Sequence, residues 1–591
     1  MAKEYDVLRA EKTVADINAS TDRHVFYKRS RPISSIKQMF ESSVQLFGNR
    51  PCFKQRFAKG EPFTTITYNQ AYMDVCALGT ALIDLGFRGK RIAVIGDNSV
   101  NWAITYLSVI GGVGIIVPLD KELGKEALID LCKEAEVSGI IFQGKFEPYF
   151  KDSGIKLLIN MDRESSGDGV FAFRELIGKG KLLMENGDRR YAEAEVDAEA
   201  VSELLFTSGT TGVAKCVMLS QRNLCYELMA APTLFEVDET YSLFSILPLH
   251  HTFECTCNFL IAMYNGSCYI ICSGLKYIAK EIKETEPTAL FVVPLILENF
   301  YKSIWKNIRK RGKEEQAKKV LAACKKLGAL GRPIQKLILK DIYSVFGRNM
   351  KVIICGGAAI DPAILDFFND LGYLAVQGYG LTECSPLVSV NPGFHKTMKN
   401  KSVGHIMPLT EGRVDNPDDA GIGEICIKGP SVMIGYYNMP EETERILADG
   451  WFHTGDIGYI DDDNFIYITG RSKNVIITAN GKNVFPEELE YLISQTGLAE
   501  ECMVWADKDE RGNNTVITAS IYPDKEAVAA ESGSDYTQET AEKLINEAVD
   551  RLNDTLPGFK QIHRVVVRSE EFEKTTAKKI KRFADFNKNN A

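Results

Sequence analysis

The sequence predicts an α/β protein with a large N-terminal domain of layered α/β subdomains, a small β-rich subdomain and an α+β C-terminal domain. One observation is length, because 591 residues exceed what a single hydrophobic core supports. A second is the alternation of short apolar runs with helical stretches, which is typical of parallel sheets covered by helices. The predicted domain boundaries are 1–469 and 470–591.

Short apolar runs predict the buried strands of the N-terminal domain, at 91–96, 138–142, 156–160, 289–293 and 351–357. The longest apolar run, 103–119, contains three glycines and Pro118. It therefore predicts a buried helix that turns into a buried strand, and not a membrane span.

The sequence pattern changes after about residue 400, from long apolar runs to short strands and turns. Short strands and turns at 421–429 and 458–467 predict the β-rich subdomain. Beyond Gly470, strand-like runs near 501–505 and 515–522 predict the α+β domain. The polar stretch 525–542 is predicted to be a mobile surface segment.

Charge is distributed unevenly along the chain. The net charge is −9, yet residues 301–340 hold thirteen Lys and Arg against two Glu. Two interpretations stay open: a solvated face of two helices, or a basic patch that meets anionic membrane lipid or steers a polyanionic substrate. No nucleic-acid-binding motif accompanies the charge, so a nucleic-acid partner is not expected.

The fourteen cysteines are scattered and form no C-x-x-C pair. Together with a polar N-terminal stretch, they predict reduced thiols in a cytoplasmic protein, with peripheral attachment to the inner membrane face as a further option.

The segment 250–257 contains two histidines and two cysteines. Its spacing matches no standard zinc pattern, so zinc is not predicted there.

The most informative segment is 204–215, where an apolar strand-like run leads into glycines and hydroxyls and ends at Lys215. Backbone N–H groups, hydroxyls and a lysine in a small-residue loop suit an anion. The spacing differs from the common phosphate-binding loop. Ser208 is not a hydrolase nucleophile either, because Phe206 stands where that motif needs glycine. Taken alone, the loop is a phosphate cradle or an ordinary Ser/Gly turn.

Four further segments follow in order along the chain: 356–358 with 377–383, then 450–458, 470–490 and 574–582. With these segments the chain resembles the adenylate-forming superfamily of acyl-CoA synthetases, peptide-synthetase adenylation domains and firefly luciferase. The resemblance covers about 33–582. It is closest to the long-chain fatty acyl-CoA synthetases, which carry a basic helical insertion where this chain has 301–350.

The resemblance implies a set of nucleotide- and CoA-binding residues: Thr207, Ser208, Gly209, Thr210, Thr211, Gly212, Lys215, Gly356, Gly357, Ala358, Gln377, Gly378, Tyr379, Asp456, Arg471, Lys473 and Gly481. The loop 207–212 would hold the β- and γ-phosphates with Lys215. Gly356, Gly357 and Ala358 would form the adenine wall. Residues 377–379 would pack on the purine, and Asp456 with Arg471 would bind the ribose.

Catalytic roles are implied in the same way. Glu383 would hold Mg²⁺, with Thr210 as a second ligand, and Thr382 would reach the α-phosphate. His251 would border the carboxylate of the acid. Lys579 would be the catalytic lysine, because it would stabilise the negative charge that gathers around the α-phosphate in the transition state.

The implied reaction has two halves. A fatty acid and Mg·ATP give acyl-AMP and pyrophosphate, and CoA then gives acyl-CoA and AMP. The C-terminal domain is expected to be mobile, rotating about Lys473 and bringing Gly481 to the pantetheine tunnel. The acid pocket would be formed by 243–259, 291–300 and 384–390, which leaves the chain length of the acid open.

Other functions stay open beside this one. The chain could load a separate acyl carrier protein, act on medium-chain or aryl acids, or bind lipid or nucleotide without catalysis. Intact Glu383, Asp456 and Arg471 argue against a silent protein.

Two departures from the family pattern matter. Ala214 stands where proline usually precedes the loop lysine, and Lys578 stands where glycine often precedes the catalytic lysine. The choice of Lys579 over Lys578 therefore depends on the register set by 580–582.

Overall fold

The computed structural model describes residues 2–20, 30–207, 214–235, 237–327, 339, 343, 345–393, 397–478, 482–508, 515–574 and 580–582. The chain divides into two compact units. The first comprises Met1–Glu411, Ile427–Phe452 and Asp463–Phe465, and the second comprises Gly412–Cys426, His453–Asp462 and Ile466–Ala591. The second unit thus takes in two segments that precede residue 469, and the division at 469/470 stays a prediction.

The first unit contains an eight-stranded sheet, in the order Gly435–Tyr436, Lys215–Ser220, Val201–Thr207, Gly114–Pro118, Lys90–Ile95, Gly139–Phe142, Leu157–Asn160 and Val170–Ala172. Its middle strands pair in parallel. They are almost entirely apolar because helices cover both of their faces. Ile95, Val117 and Phe142 are fully buried in the core of this sheet.

A nine-stranded sheet also lies in the first unit, in the order His405–Ile406, Leu387–Val390, Leu374–Gly380, Val352–Cys355, Ala289–Val292, Ser242–Ser245, Cys268–Ile271, Pro51–Gln55 and Thr64–Thr67. Phe244, Leu290 and Ile353 project from it into a core shared with Leu365 and Phe368. The predicted α/β class is therefore confirmed.

The longer helices of the first unit are Ala2–Ser20, Ile36–Phe47, Tyr68–Asp84, Val100–Ser108, Lys125–Glu134, Phe173–Glu185, Gln221–Ala230, Ile278–Thr285, Pro294–Lys310, Glu314–Leu327, Pro362–Asp370 and Pro440–Ile446. The run 103–119 forms the end of a helix, a wide turn Val109–Val113 and the strand Gly114–Pro118, as predicted. Among the described residues, the helices are too short or too polar to cross a membrane.

Most of the strands Glu411–Asp415, Gly423–Lys428, Phe452–Ile460 and Ile466–Arg471, which form a four-stranded sheet, belong to the second unit. This unit also holds the pair Ile476–Ile477 and Asn483–Val484 and the sheet Ala499–Lys508, Thr515–Pro523 and Arg564–Val567. Its helices are Pro486–Ser494, Lys525–Ser532 and Gln538–Asn553. Leu489, Val504 and Ile545 are buried in its core.

The stretch 525–542, predicted to be a mobile surface segment, is largely helical. The stretch forms the helix Lys525–Ser532 and the start of the helix Gln538–Asn553. Both helices begin at side chains that accept a backbone N–H, Asp524 from Ala527 and Thr537 from Thr540. Such caps stabilise a helix start in a sequence of low overall hydrophobicity.

Candidate active site

The predicted phosphate loop connects two antiparallel strands of the eight-stranded sheet. Thr207 ends one strand and Lys215 begins the next, and these two residues are paired across the ladder. Leu204 and Leu205 of the first strand and Val217 and Leu219 of the second are buried, which fixes the two ends of the loop in the sheet. The predicted residues Ser208, Gly209, Thr210, Thr211 and Gly212 lie outside the described residues.

The Lys215 side chain has two partners in the first unit. Its ammonium group forms an ion pair with Glu442 of the helix Pro440–Ile446. It also lies 4.9 Å from the centroid of the Tyr436 ring, a cation–π contact. Tyr436 reaches this position because the strand Gly435–Tyr436 pairs with Met218 and Val217, next to Lys215 in the chain.

Glu442 is shared between two cations. Nε of Arg445 donates to its Oε2 atom across 2.8 Å, and Nη2 donates to Oε1 across 2.7 Å. Hydrogen bonds from Arg445, with a further contribution from Lys215, lower the pKa of Glu442 to about 2. At neutral pH the carboxylate is therefore charged and compensates the charge of Lys215.

Glu383 lies in the short 3₁₀ turn Thr382–Cys384. The hydroxyl of Tyr436 donates to Glu383 Oε1 across 2.8 Å, and the backbone carbonyl of Glu383 accepts from Met433 N across 2.8 Å. Burial, followed by the nearby Glu383 charge, raises the pKa of Tyr436, so its hydroxyl stays protonated and can donate. The structure thus brings Thr382, Glu383 and Lys215 to one place through Tyr436.

The predicted adenine wall lies at the ends of two neighbouring strands. Cys355 and Gln377 are paired in parallel, and Gly356, Gly357 and Ala358 follow the first strand. A Cβ atom at position 356 would lie 3.1 Å from Phe253 Cζ, closer than an ordinary contact. Gly357 has φ of 85°, in the left-handed region that favours glycine.

The sequence predicts an apolar strand that ends before Gln377, but this prediction is wrong, because Gln377, Gly378 and Tyr379 belong to the strand Leu374–Gly380. Hydrogen bonding continues because the chain from Gly378 onward pairs antiparallel with the strand Leu387–Val390. Local apolar content falls before the strand ends, so periodicity alone placed its end too early.

His251 ends the loop after the strand Ser242–Ser245, and Asn98 holds this loop. Asn98 Nδ2 donates to the Leu247 carbonyl across 2.6 Å, and its Oδ1 accepts from Leu249 N across 3.0 Å. The ring of His251 lies 4.3 Å from that of His250, centroid to centroid. Burial, and then the neighbouring His251, lowers the pKa of His250, so this imidazole is neutral near pH 7.

The predicted ribose-binding pair lies in the second unit. Asp456 and Arg471 are directly opposite each other in the antiparallel strands Phe452–Ile460 and Ile466–Arg471. Arg471 Nε lies 2.5 Å from Asp456 Oδ1. The Asp456 side chain is 3% exposed, whereas that of Arg471 is 38% exposed. The arginine is therefore the accessible member of the pair.

Lys473, the predicted hinge, lies in the 3₁₀ turn Ser472–Asn474 of the second unit. Burial, and then the charge of Arg471, lowers the pKa of Lys473. The turn is held by Asn474, whose Nδ2 donates to Glu487 Oε1 across 2.6 Å. The predicted residue Gly481 lies outside the described residues.

The C-terminal tail is held on both sides of the predicted catalytic lysine. Lys574 and Ile580 form an antiparallel bridge, and Lys574 forms an ion pair with Glu501. Arg582 pairs with Glu490 and donates to the Val504 carbonyl across 3.2 Å. Lys578 and Lys579 themselves lie outside the described residues.

Sequence reasoning did not single out Tyr436, Glu442 or Arg445. The available signal was the segment 435–445, where two tyrosines after a glycine precede an acidic helix start with Pro440. Pairing of Tyr436 with Val217 joins residues more than two hundred positions apart, and no local pattern encodes such a contact.

Comparison with known proteins agrees with this architecture. Residues 40–437 match the pattern that defines AMP-binding enzymes, and the chain belongs to that family. It is 25% identical over 593 residues to a chloroplastic long-chain-fatty-acid–[acyl-carrier-protein] ligase of Arabidopsis thaliana, covering 88% of this chain and 80% of that protein. It is 26% identical to long-chain-fatty-acid–CoA ligase 5 of Rattus norvegicus, covering 91% and 84%.

Solved structures show the same fold. The anthranilate CoA ligase AuaEII in complex with anthranoyl-AMP aligns with a TM-score of 0.72 at 18% identity, covering 95% of this chain and 97% of that one. The o-succinylbenzoate CoA synthetase of Bacillus subtilis, in complex with ATP and magnesium, aligns with a TM-score of 0.70 at 18% identity, covering 92% and 98%. The predicted resemblance to adenylate-forming enzymes, and to long-chain acyl-CoA synthetases among them, is confirmed.

Proposed function

We propose that this chain activates a long-chain fatty acid with Mg·ATP to acyl-AMP and pyrophosphate, and then transfers the acyl group to CoA. Membership of the AMP-binding family and the names of the relatives support the reaction class. The observation that carries the proposal is the arrangement around Tyr436, which brings a loop lysine and a carboxylate together. A cation for phosphates and an oxygen ligand for Mg²⁺ are what this chemistry needs.

The residues present fit Mg·ATP. Mg²⁺ prefers carboxylate and phosphate oxygens, and Glu383 offers a carboxylate whose orientation is fixed by one hydrogen bond. A flat base fits beside Gly356, where a side chain would crowd Phe253. Lys215 would bind the β- and γ-phosphates with Thr207, and Thr382 would reach the α-phosphate. Asp456 and Arg471 would hold the ribose.

Lys579 is proposed to supply the charge that makes the first half-reaction fast. When a carboxylate attacks the α-phosphorus, negative charge gathers on the bridging and non-bridging oxygens. A lysine positioned there stabilises the transition state more than the ground state. Its neighbour Lys578 offers a matched control, because it has the same charge at the adjacent position.

The test separates the two half-reactions. Lys579→Ala should abolish pyrophosphate release from ATP and fatty acid, yet leave acyl-CoA formation from supplied acyl-AMP largely intact. Lys578→Ala should retain both activities. Equal loss in both half-reactions would remove the role assigned to Lys579, and loss with Lys578→Ala alone would move that role to Lys578. No pyrophosphate release by the unaltered protein, with any of a panel of fatty acids, would contradict the function itself.

The acceptor is proposed to be CoA, with an acyl carrier protein as the second candidate. One relative is named for ligation to acyl carrier protein and another for ligation to CoA. Supplying acyl-AMP together with either CoA or a phosphopantetheinylated carrier protein decides between them. The proposal for CoA requires faster thioester formation with CoA than with the carrier protein.

The basic stretch 301–340 is proposed to contact an anionic membrane surface. In the helix Pro294–Lys310, Leu297, Ile304 and Ile308 are buried while Lys306 and Arg309 are exposed. A one-sided distribution of cations suits a surface that carries anionic lipid. Co-sedimentation with phosphatidylglycerol vesicles, and not with phosphatidylcholine vesicles, is the expected result. The cytoplasmic location stays a prediction.

A further inference from the structure

Three glutamates lie in the interior of the first unit without a role in the proposed chemistry. They are Glu203 of the strand Val201–Thr207, Glu227 of the helix Gln221–Ala230 and Glu254 of the short helix Thr252–Glu254. Their exposed fractions are 1%, 1% and 0%. Carboxyl groups are among the groups least often found fully buried, so three of them in one domain need a reason.

Few hydrogen bonds compensate this burial. Glu203 Oε2 accepts from the Tyr106 hydroxyl across 3.2 Å. Glu254 Oε1 accepts from the Tyr269 hydroxyl across 2.6 Å and from Asn258 Nδ2 across 2.9 Å. The Ser245 side chain and the Leu247 backbone also interact with Glu254, and the Leu387 backbone interacts with Glu227. Glu203 Oε1 has no hydrogen-bond partner among the described residues, and the Glu227 carboxyl has no side-chain partner among them. A buried carboxyl oxygen that stays unpaired destabilises a protein, so these groups are open to a further partner such as a bound ligand.

All three carboxyl groups are protonated at neutral pH or change protonation near it. Burial raises the pKa of Glu203 to about 8 and that of Glu254 to about 7, and raises that of Glu227 well above its usual value. A protonated carboxyl group carries one O–H donor and retains an acceptor oxygen. It can therefore both donate to and accept from one uncharged oxygen-containing group.

The three groups surround the segment that directly follows His251. Glu254 lies on this segment, which continues as the wide π-helical turn Cys255–Leu260. Cys255 interacts with Glu203 and with Tyr106, which also bonds Glu203. Cys257 interacts with Glu227. Wide turns of this kind recur at functional sites.

This position coincides with the proposed acid pocket. Residues 243–259, 291–300 and 384–390 are proposed to line it. Glu227 interacts with Cys257 of the first segment and with the backbone of Leu387 of the last. With the carboxylate of the acid at His251, the acyl chain would continue along the turn that these glutamates surround.

We propose that Glu203 and Glu227 face the acyl chain, and that the preferred acid carries a hydroxyl or oxo group within its chain. This inference depends on the proposed function. An unsubstituted hydrocarbon would leave the buried carboxyl oxygens unpaired, whereas an in-chain oxygen would pair with them. Sites built to hydrogen-bond a substrate hydroxyl reject analogues that lack it far more strongly than apolar pockets reject an extra methylene.

The experiment compares hexadecanoic acid with positional isomers of monohydroxy- and oxo-hexadecanoic acid. Purified full-length protein is supplied with ATP, Mg²⁺ and CoA, and kcat/KM is measured by pyrophosphate release. At least one oxygenated isomer should exceed the unsubstituted acid by about tenfold or more. Glu227→Gln, which keeps a donor and an acceptor, should retain the preference. Glu227→Leu should abolish it by slowing the oxygenated acid and accelerating the unsubstituted one.

Glu185→Gln, an exposed carboxyl on the helix Phe173–Glu185, is the control and should leave the ratio unchanged. The inference is overturned if every oxygenated acid is slower than hexadecanoic acid, because internal water would then be the partner of these carboxyls. The same holds if Glu227→Leu folds and leaves the ratio unaltered. In both cases turnover of hexadecanoic acid keeps the proposed function intact, whereas no turnover of any acid removes both. The ratio in the unaltered protein decides the matter even if Glu227→Leu does not fold.

Discussion

The hydroxyl of Tyr436 donates a hydrogen bond to Glu383 Oε1 across 2.8 Å, while the Lys215 ammonium lies 4.9 Å from the centre of the same tyrosine ring. One side chain thus orients both the carboxylate proposed to bind Mg²⁺ and the lysine proposed to bind phosphate. Mutation of a residue that orients a metal ligand commonly lowers metal affinity by about tenfold or more.

Replacing Tyr436 by Phe keeps the ring and removes the hydrogen bond to Glu383. We expect the Mg²⁺ concentration for half-maximal pyrophosphate release to rise by about tenfold, with little change in KM for the acid. A Mg²⁺ titration at saturating ATP measures this. Tyr437→Phe is the matched control, because the Tyr437 hydroxyl donates to Glu136 instead. An unchanged Mg²⁺ requirement in Tyr436→Phe would remove the positioning role.

The ion pair between Glu442 and Lys215 predicts a second effect on nucleotide binding. Phosphate oxygens must compete with the Glu442 carboxylate for Lys215, and Glu442 keeps Arg445 as its other cation. Glu442→Gln removes this competing charge, so KM for ATP should fall by about two- to fivefold.

Steady-state kinetics at low and high salt check this prediction, since the effect should shrink as salt screens the charges. Glu441→Gln is the control on the same helix, because Glu441 is exposed. A rise in KM for ATP in Glu442→Gln would show instead that Glu442 holds Lys215 in its binding position.

Elements of the fold that depend on local sequence could be predicted, whereas contacts between residues far apart along the chain could not. Buried parallel strands such as Lys90–Ile95 and Gly139–Phe142 were evident, because a strand covered on both faces is apolar throughout. The end of the strand Leu374–Gly380 was predicted too early, because Gly378 and Gly380 lack the apolar side chains that indicate a strand. Its last residues are strand only through pairing with a neighbouring strand. The helix Lys525–Ser532 was missed, because composition outweighed the Asp524 cap.

The candidate site shows the same division. The resemblance to the adenylate-forming superfamily, which the order and spacing of the motifs carry, implied the roles of Lys215, Glu383 and Asp456. Nothing local pointed to Glu442, whose contact with Lys215 joins a strand start to a helix far along the chain. The sequence analysis did not single out Glu203, which precedes the apolar run 204–206, and no local pattern indicates its contact with Tyr106.

The raised pKa of Glu203 makes a prediction for stability. The group has a pKa of about 8 when folded and about 4.3 when unfolded. Because the folded pKa is the higher one, the folded state binds the proton more tightly. This contribution to stability is fully present below about pH 4 and is lost as pH rises toward 8.

Glu203→Gln abolishes this dependence, because an amide does not titrate. Relative to the unaltered protein, the variant should gain up to about 3 kcal/mol of stability between pH 5 and pH 8. Thermal unfolding midpoints of both proteins across that range measure the difference, with Glu185→Gln as the exposed control. A constant difference between the two midpoints would show that Glu203 does not titrate with a raised pKa.

The ion pair of Arg582 with Glu490 is expected to stabilise the second unit. Their side chains are 22% and 15% exposed. Removing one partner of a largely buried pair leaves the other charge uncompensated, so Arg582→Ala should destabilise the protein by about 3 kcal/mol.

Lys581→Ala is the matched control for Arg582→Ala. The neighbouring Lys581 pairs with Glu573, and both of those side chains are about half exposed. Exposed pairs contribute little, so this variant should lose at most about 1 kcal/mol. Chemical denaturation monitored by tryptophan fluorescence compares the two variants. Equal losses would contradict the anchoring role of Arg582.

The hairpin that carries Asp456 and Arg471 also limits which insertions and deletions the chain tolerates. The two residues face each other only because the ladder has a register shift between Ile457 and Gly458 and then pairs Ile460 with Ile466. The turn is constrained as well, because Phe465 is buried and bridges to His405, and the Asn464 carbonyl accepts from Ile406 N across 3.0 Å. Deleting one residue between 458 and 460 would rotate the strand by one position and turn Asp456 to the opposite face. Recombined or engineered versions of this hairpin should therefore preserve its residue count before its residue identities.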